Sequence, residues 1–283
     1  MFSLIVSTVG RQEEFERLLE SLVNQTYKKF EVIIVDQNES LVDGIVTYFS
    51  KQLDLNHQKV SPRNASEARN TGLKFAKYPI VTFPDDDCWY SENVLNDVFC
   101  FFSNDASLEL LTCKSTNSTQ TLSHTKFKKQ AGKITKLNSA LCGIEFTIFI
   151  KKYLILNLNG FDEKIGPGSS FGYGAGEAHD FLLRAVENKC NSLYTPSIVV
   201  FHEVPLSNNM DQSNDNKKKL YSYAKGFGFV LRKNHLPTWY MLYFLLRPLM
   251  GAFLGLLKGN LLKCKYYFIV LNGRFAGWNS KIE

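Results

Sequence analysis

Three consecutive aspartates, Asp85, Asp86 and Asp87, follow the apolar run Ile80-Val-Thr-Phe83. Side by side, like charges repel and raise one another's pKa unless a cation neutralises them. Mg2+ or Mn2+ takes a few carboxylate oxygens and completes its shell with substrate phosphates. The triplet therefore points to metal-assisted handling of a phosphorylated substrate. A helix N-terminus explains one such aspartate, offsetting the positive end of a helix expected over 91–102, but it explains three badly. Two further apolar runs also end in polar residues, at Ser7-Thr8 and at Asp36-Gln37-Asn38.

These residues are positioned by short strands. Residues 2–8 and 30–36 are β-branched apolar runs of the kind buried on both faces of a parallel sheet. Between them, apolar residues at 15, 18, 19, 22 and 23 have helical spacing over Glu13 to Val23. A helical stretch from Ala65 to Ala76 precedes the strand at 80–83. Repeated strand, helix and strand means βαβ units, hence an open α/β sheet that is mostly parallel and flanked by helices. In such sheets ligands sit at the carboxyl ends of the strands, where the three polar segments converge. Residues 104–138 are polar and irregular, either edge strands or an excursion over the sheet. Residues 140–150 return to an apolar run, Asp180 to Val186 is helical, and 197–201 reads as a last buried strand ending at His202.

The 283 residues, 45% of them hydrophobic, suffice for one large α/β domain with an appendage. The six cysteines are scattered without a CxxC pair and read as buried free thiols of a reducing compartment. Met1-Phe-Ser-Leu-Ile-Val6 has no basic n-region, so no signal peptide is expected there. Charge is uneven. From Lys217 to Glu283 twelve Lys/Arg accompany one acid, whereas residues 1–216 hold 21 basic and 26 acidic residues. A basic tail on an acidic body expects an anionic partner.

The ordered series Ser3-Leu-Ile-Val-Ser-Thr8, Val32-Ile-Ile-Val-Asp36, Glu67-Ala-Arg69-Asn70-Thr-Gly72 and Phe83-Pro-Asp-Asp-Asp87 resembles glycosyltransferase family 2. The resemblance continues through Gly160-Phe-Asp-Glu163, Gly176-Glu-Ala-His-Asp180 to Arg184, and His202. It covers residues 2 to about 203. It implies a GT-A fold, an inverting transfer from a nucleotide sugar, and a divalent metal, Mn2+ or Mg2+. By that resemblance Thr8 and Arg11 would lie along the nucleotide. Asp36 would accept the ring N–H of the base, which favours uracil. Arg69 would pair with the donor's phosphates or brace the acidic loop. Asp85 and Asp87, with His202, would hold the metal, the register of the triplet being open by one residue at Asp86. The family's usual general base is replaced by Ala178, which leaves Glu177 and Asp180, three apart on one helical turn. The reading places Asp180 ahead of Glu177 as base, with Glu177 otherwise positioning the acceptor and His179 a third candidate. The implied organisation is a catalytic domain over 1–207, its donor half about 1–103 and acceptor half about 104–207. A linker over 208–219 and a helical tail over 220–283 follow.

Gly166 to Gly176 lacks the Lys-Ser/Thr of a phosphate loop and reads as a mobile flap. In the tail, Trp239 to Leu257 approaches the length of a membrane span, but Arg247-Pro248 interrupts it. Kinked helices lying in an anionic membrane surface fit better, at the cytoplasmic face of the plasma membrane. Gly251, Gly255 and Gly259, four apart, would let helices approach closely. The run is too apolar for a nucleic-acid surface and carries no reading motif. Tyr221 to Gly228 and Gly273 to Gly277 resemble the tails of bacterial family members that extend lipid-linked surface glycans. That implies an acceptor on a polyprenyl diphosphate. Two other classes stand beside this reading. A nucleotidyltransferase would want a glycine- and lysine-rich loop near the first strand, where Ser7-Thr-Val-Gly-Arg11 offers one glycine and one base. A non-catalytic sugar-nucleotide-binding module is the other, given Ala178.

Overall fold

The computed structural model describes residues 1–61, 63–123, 126–203 and 213–282. It divides into two compact units. The first comprises Met1–Arg63, Glu67–Phe161 and Phe181–Val204; the second comprises Asn64–Ser66, Asp162–Asp180 and Pro205–Glu283. The two halves expected within 1–207 thus share one unit, while 162–180 groups with the tail.

The first unit is built on β1 (Phe2–Thr8), β2 (Phe30–Asp36), β3 (Leu55–Lys59), β4 (Ile80–Thr82), β5 (Cys88–Tyr90), β6 (Leu110–Thr116), β7 (Gly132–Lys133), β8 (Ile148–Lys151) and β9 (Ser192–His202). They form one sheet in the order β3-β2-β1-β4-β8-β6-β9-β5, with β7 also on β9. β3, β2, β1 and β4 are parallel neighbours. β1, β2 and β4 match the strands expected from the sequence, whereas β3, Leu-Asn-His-Gln-Lys59, offers no apolar run and was not expected. Beyond β4 the sheet is mixed: only β6–β9 is parallel, and β4–β8, β6–β8, β5–β9 and β7–β9 are antiparallel. The polar stretch 104–138 therefore contains a buried strand, β6, whose Thr and Ser side chains hid it from a hydrophobic pattern.

Helix α1 (Glu13–Val23) buries Phe15, Leu18, Leu19 and Leu22, one stripe at helical spacing, and places Glu13, Glu14 and Glu16 at its positive end. Helices α2 (Asp43–Phe49), α3 (Ala65–Leu73), α4 (Val94–Asn104), α5 (Lys152–Asn157) and α6 (Glu177–Glu187) follow. Strands β1 and β2 are buried almost throughout, so their apolar side chains fill both faces of the sheet. Gly72 of α3 lets backbone approach that sheet: a Cβ there would lie 2.3 Å from Ile5 Cγ2.

In the second unit Gly166, Gly168, Gly172 and Gly176 hold φ of +121°, +84°, +73° and +111°, turns that side chains resist. The segment is fastened onto α7 (Asn214–Lys233): Tyr173 stacks on Phe229 at 4.0 Å, and Gly174 N–H donates to Ser222 O at 3.1 Å. Helix α7 begins inside the expected linker because the Ser213 side chain caps it, accepting from Asn216 N–H. The remainder of that linker, 208–212, lies outside the described residues.

Helix α8 (Thr238–Leu257) runs through Pro248 as one element, where an interruption was expected; proline removes one backbone bond without ending the helix. Helix α9 (Leu261–Trp278) is capped by Asn260 and packs against α7 and α8. Close approach is made by Gly228, Gly273 and Gly277, where a Cβ would strike backbone of the facing helix. Gly251 and Gly255 do meet α9, at Tyr267 and Cys264, but a Cβ at Gly259 would meet nothing within 4 Å, and Gly259 instead ends α8 at φ +65°.

Candidate functional site

The acidic triplet occupies the turn between β4 and β5. Asp85 forms a parallel bridge with Ser7 at the end of β1, and Cys88 N–H closes the turn on Asp85 O at 3.1 Å. Antiparallel pairing of β5 with β9 sets Cys88 opposite His202. That pairing brings His202, 115 residues further along the chain, to 2.9 Å from Asp87 Oδ1. One ligand atom each from Asp85, Asp87 and His202 lies within 4.8 Å of the others. Two carboxylate oxygens and an imidazole nitrogen suit Mn2+ and accept Mg2+. The three residues fit a divalent cation, and Asp86 is not among them.

Asp86 turns the other way. It is buried and paired with Arg11, which also reaches Asp87 Oδ2 at 2.8 Å. Burial pushes the Asp86 carboxyl up to about 6, against the pull of the Arg11 guanidinium and the Thr8 hydroxyl. Asp87 goes the opposite way: burial opposes its charge, but the His202 hydrogen bond and charge outweigh it and hold its pKa low. His202 is correspondingly raised, burial being overcome by Asp87. Arg69 completes the cluster, donating from Nη2 to Asp85 Oδ1 at 2.7 Å. Three carboxylates therefore face two guanidiniums and one histidine, so the repulsion that suggested a metal is largely met by the protein's own cations.

Side chains that sequence reasoning passed over fix this geometry. Arg17 of α1 donates from Nη2 to Asp87 O at 3.0 Å, and its guanidinium lies 4.1 Å over the Trp89 ring. Trp89 stacks on Phe201 across β5 and β9, and Phe146 stacks on His202 at 4.9 Å. Nothing in the α1 pattern singles out Arg17 from its charged neighbours. Asn70 holds both backbone groups of Phe161, at 2.9 Å each, and a Cβ at Gly160 would lie 2.3 Å from its Oδ1. Arg184 clamps Leu158 O and Gly160 O at 2.5 and 2.8 Å. Asn70, Gly160 and Arg184 are thus structural bolts.

Asp36 lies fully buried at the end of β2. Its Oδ1 accepts from Asn38 N–H and Nδ2 at 2.8 and 2.9 Å, and its Oδ2 meets His57 and Lys59 at 2.8 and 2.9 Å. Burial is again outweighed, so its pKa is lowered. Asp36, Asp43 and His57 form a second cluster of metal-type ligands, but Lys59 already bridges Asp36 and Asp43, the latter at 2.5 Å. That cluster carries its own cation.

In the second unit Asp180 is fully buried, with Oδ1 2.8 Å from Lys233 Nζ and 2.8 Å from Asn234 Nδ2. Lys233 also reaches Asp162 Oδ2 at 2.6 Å. Glu177 is buried in the first turn of α6, where its Oε1 would be 3.2 Å from a Cβ at Gly166. His179 stacks on Phe227, and burial pulls its pKa down to about 4 against the charge of Asp180.

The family model of glycosyl transferase family 2 matches residues 3–158, more than half of the sequence. The chain belongs to that family. This family 2 member is 28% identical over 145 residues to the poly(ribitol-phosphate) β-N-acetylglucosaminyltransferase TarS of Staphylococcus aureus, covering 50% of this chain and 25% of the relative. It is 33% identical over 104 residues to TarP of the same species, named for the same activity, covering 34% and 31%. The family 2 member thus spans a quarter to a third of the length of these relatives. Among solved structures, S. aureus TarS 1–349 with UDP-GlcNAc aligns at TM-score 0.60 and 21% identity, covering 82% of this chain and 71% of that one. The mannosyltransferase PcManGT of Pyrobaculum calidifontis with GDP-Man and Mn2+ aligns at TM-score 0.62 and 15% identity, covering 97% and 86%. At these identities the structural likeness establishes the GT-A fold of this family 2 member.

Proposed function

We propose that the protein transfers a sugar from a nucleotide-sugar donor to a hydroxyl of a glycan acceptor, with inversion and with help from a divalent metal. The observation that carries this reading is the Asp85–Asp87–His202 cluster at the carboxyl edge of the sheet, flanked by Arg11 and Arg69. When bound, Mn2+ or Mg2+ supplies positive charge for the donor's diphosphate. Arg11 and Arg69, already pointed at the triplet, bind the phosphate oxygens and stabilise the charge that grows on the leaving nucleoside diphosphate. Thr8 lies beside Asp86 in the same group. A UDP-sugar is the proposed donor, UDP-GlcNAc first, since TarS is the relative solved with it. Asp36 serves that site by fixing the Asn38 turn, because both its oxygens are already engaged.

The proton on the acceptor hydroxyl is the remaining requirement. Asp180 is held by an ammonium at 2.8 Å, and a carboxylate neutralised in this way is a poor base. Glu177 is proposed as the group that takes the proton, with Asp180, placed first by the sequence, as the alternative and otherwise the anchor of the end of α7. The acceptor is proposed to be a glycan on a polyprenyl diphosphate at the cytoplasmic membrane surface. The basic tail supports that reading.

The test is incubation with a panel of sugar nucleotides and Mn2+, followed by product analysis. Release of nucleoside diphosphate is expected. Pyrophosphate exchange would instead identify a nucleotidyltransferase, and binding without turnover a non-catalytic family member.

A further inference from the structure

Helix α8 turns two opposite faces outward and inward. Tyr240, Met241, Phe244, Pro248, Ala252 and Gly255 are buried within the second unit. On the other side Trp239, Tyr243, Leu246, Met250, Phe253 and Leu257 recur at alternating steps of four and three, and each is at least half exposed. Leu242, Leu249, Leu254 and Leu256 widen that stripe. A strict two-in-seven seam would suit a partner helix; this face is far broader, as in helices that lie in a lipid interface. Its border carries Arg247 and Lys258, both exposed and eleven residues apart, which is three helical turns and so the same side. No Asp or Glu occurs from Lys217 to Ile282. A second copy of α8 would bring like charges together at that border, whereas anionic headgroups complement them.

We infer that α8 is an in-plane membrane anchor, its Trp239–Leu257 stripe sunk among acyl chains and Arg247 and Lys258 gripping anionic phospholipid headgroups along one edge. Helix α8 is long and apolar enough to cross a bilayer. A crossing orientation, however, would hold Arg247 at mid-depth and carry α9, with its exposed Lys263 and Lys265, along with it. Lying in the plane keeps Arg247 and Lys258 at headgroup depth.

This deepens the membrane part of the proposal above and is tested without relying on it. The full chain is floated with vesicles of phosphatidylcholine alone or mixed with phosphatidylglycerol, and nucleoside diphosphate release is measured in the same samples. Flotation is expected only with phosphatidylglycerol. Met250→Glu/Phe253→Glu should lower vesicle affinity roughly tenfold or more, and Arg247→Glu/Lys258→Glu should abolish the dependence on anionic lipid. Both variants should keep the wild-type rate of donor hydrolysis. Quenching by lipids brominated near the headgroup should exceed quenching by lipids brominated near the bilayer centre, and the difference should vanish in Trp239→Phe. Three outcomes overturn the inference. They are failure of wild type to float while donor turnover persists, resistance to alkaline carbonate with deep quenching, and a solution dimer broken by Met250→Glu/Phe253→Glu.

Discussion

Replacing Lys233 with methionine should destabilise the protein through Asp180 rather than through lost packing, since methionine keeps most of the aliphatic stem. Asp180 has no exposed surface, and its Oδ1 would lose an ammonium at 2.8 Å while retaining Asn234 at 2.8 Å. Asp162, paired at 2.6 Å, is 20% exposed at its side chain and can rehydrate. Removing one member of a buried ion pair costs about 3–5 kcal/mol. With Asn234 still donating and Lys233 itself 22% exposed, the lower end, about 3 kcal/mol, applies. For a chain of this size that corresponds to a fall in Tm of roughly 6–12 °C. Differential scanning calorimetry of Lys233→Met, Asp180→Asn and the double variant decides the matter. The double variant should recover much of the loss, because it buries no uncompensated charge. A shift below about 1 °C in Lys233→Met, or a double variant as unstable as the sum of the singles, would refute the assignment of Asp180 as an anchor.

If Glu177 takes the acceptor proton, Glu177→Gln should lower kcat strongly with little change in donor Kd; Asp180→Asn should act mainly on Tm, and the reverse split would return the base to Asp180. Asp87→Ala should cut turnover by about 10²-fold or more and weaken Mn2+ binding by calorimetry, EDTA should mimic it, and full activity in EDTA would remove the metal from the scheme. His179 is neutral in the fold, with its pKa near 4 against 6.5 unfolded. Its burial should cost stability as pH falls from about 6.5 to 4, by up to about 3 kcal/mol, and nothing above pH 6.5. A His179→Phe variant should flatten that limb of the stability–pH curve. A Cβ at Gly277 would lie 1.9 Å from Lys225 O, so Gly277→Ala should cost about 1–3 kcal/mol in urea denaturation, more than Gly44→Ala, where the space is open.

β1, β2 and β4 were legible because each is a largely apolar run followed by polar residues, whereas the parallel edge strand β3, Leu-Asn-His-Gln-Lys59, was not. β6 was not, since Thr112, Ser115 and Thr116 are buried through backbone pairing that no hydrophobic pattern records. At the site, Asp85, Asp87, Arg69 and His202 were named from the order of short motifs, and the fold brings them together. What that order could not supply was the pairing of charges: Arg11 on Asp86, Lys59 on Asp36, Lys233 on Asp180. Each joins residues whose proximity depends on the register of strands or the crossing of helices. Identical carboxylates in a sequence thus became metal-type ligands beside His202 at Asp85 and Asp87, a buried turn-former at Asp36 and a buried partner of Lys233 at Asp180.

The place of β9 in the sheet bears on how the chain comes off the ribosome. β9 enters between β6 and β5, and β5 joins the sheet through it. Until residues 192–202 have emerged, β6 presents an open edge and β5 has no ladder to join, so the nascent chain carries two unsatisfied strand edges. His202 is the last residue of the strand that closes them. If a cation and a nucleotide sugar bind at this edge as proposed, their binding energy can stabilise only a completed sheet.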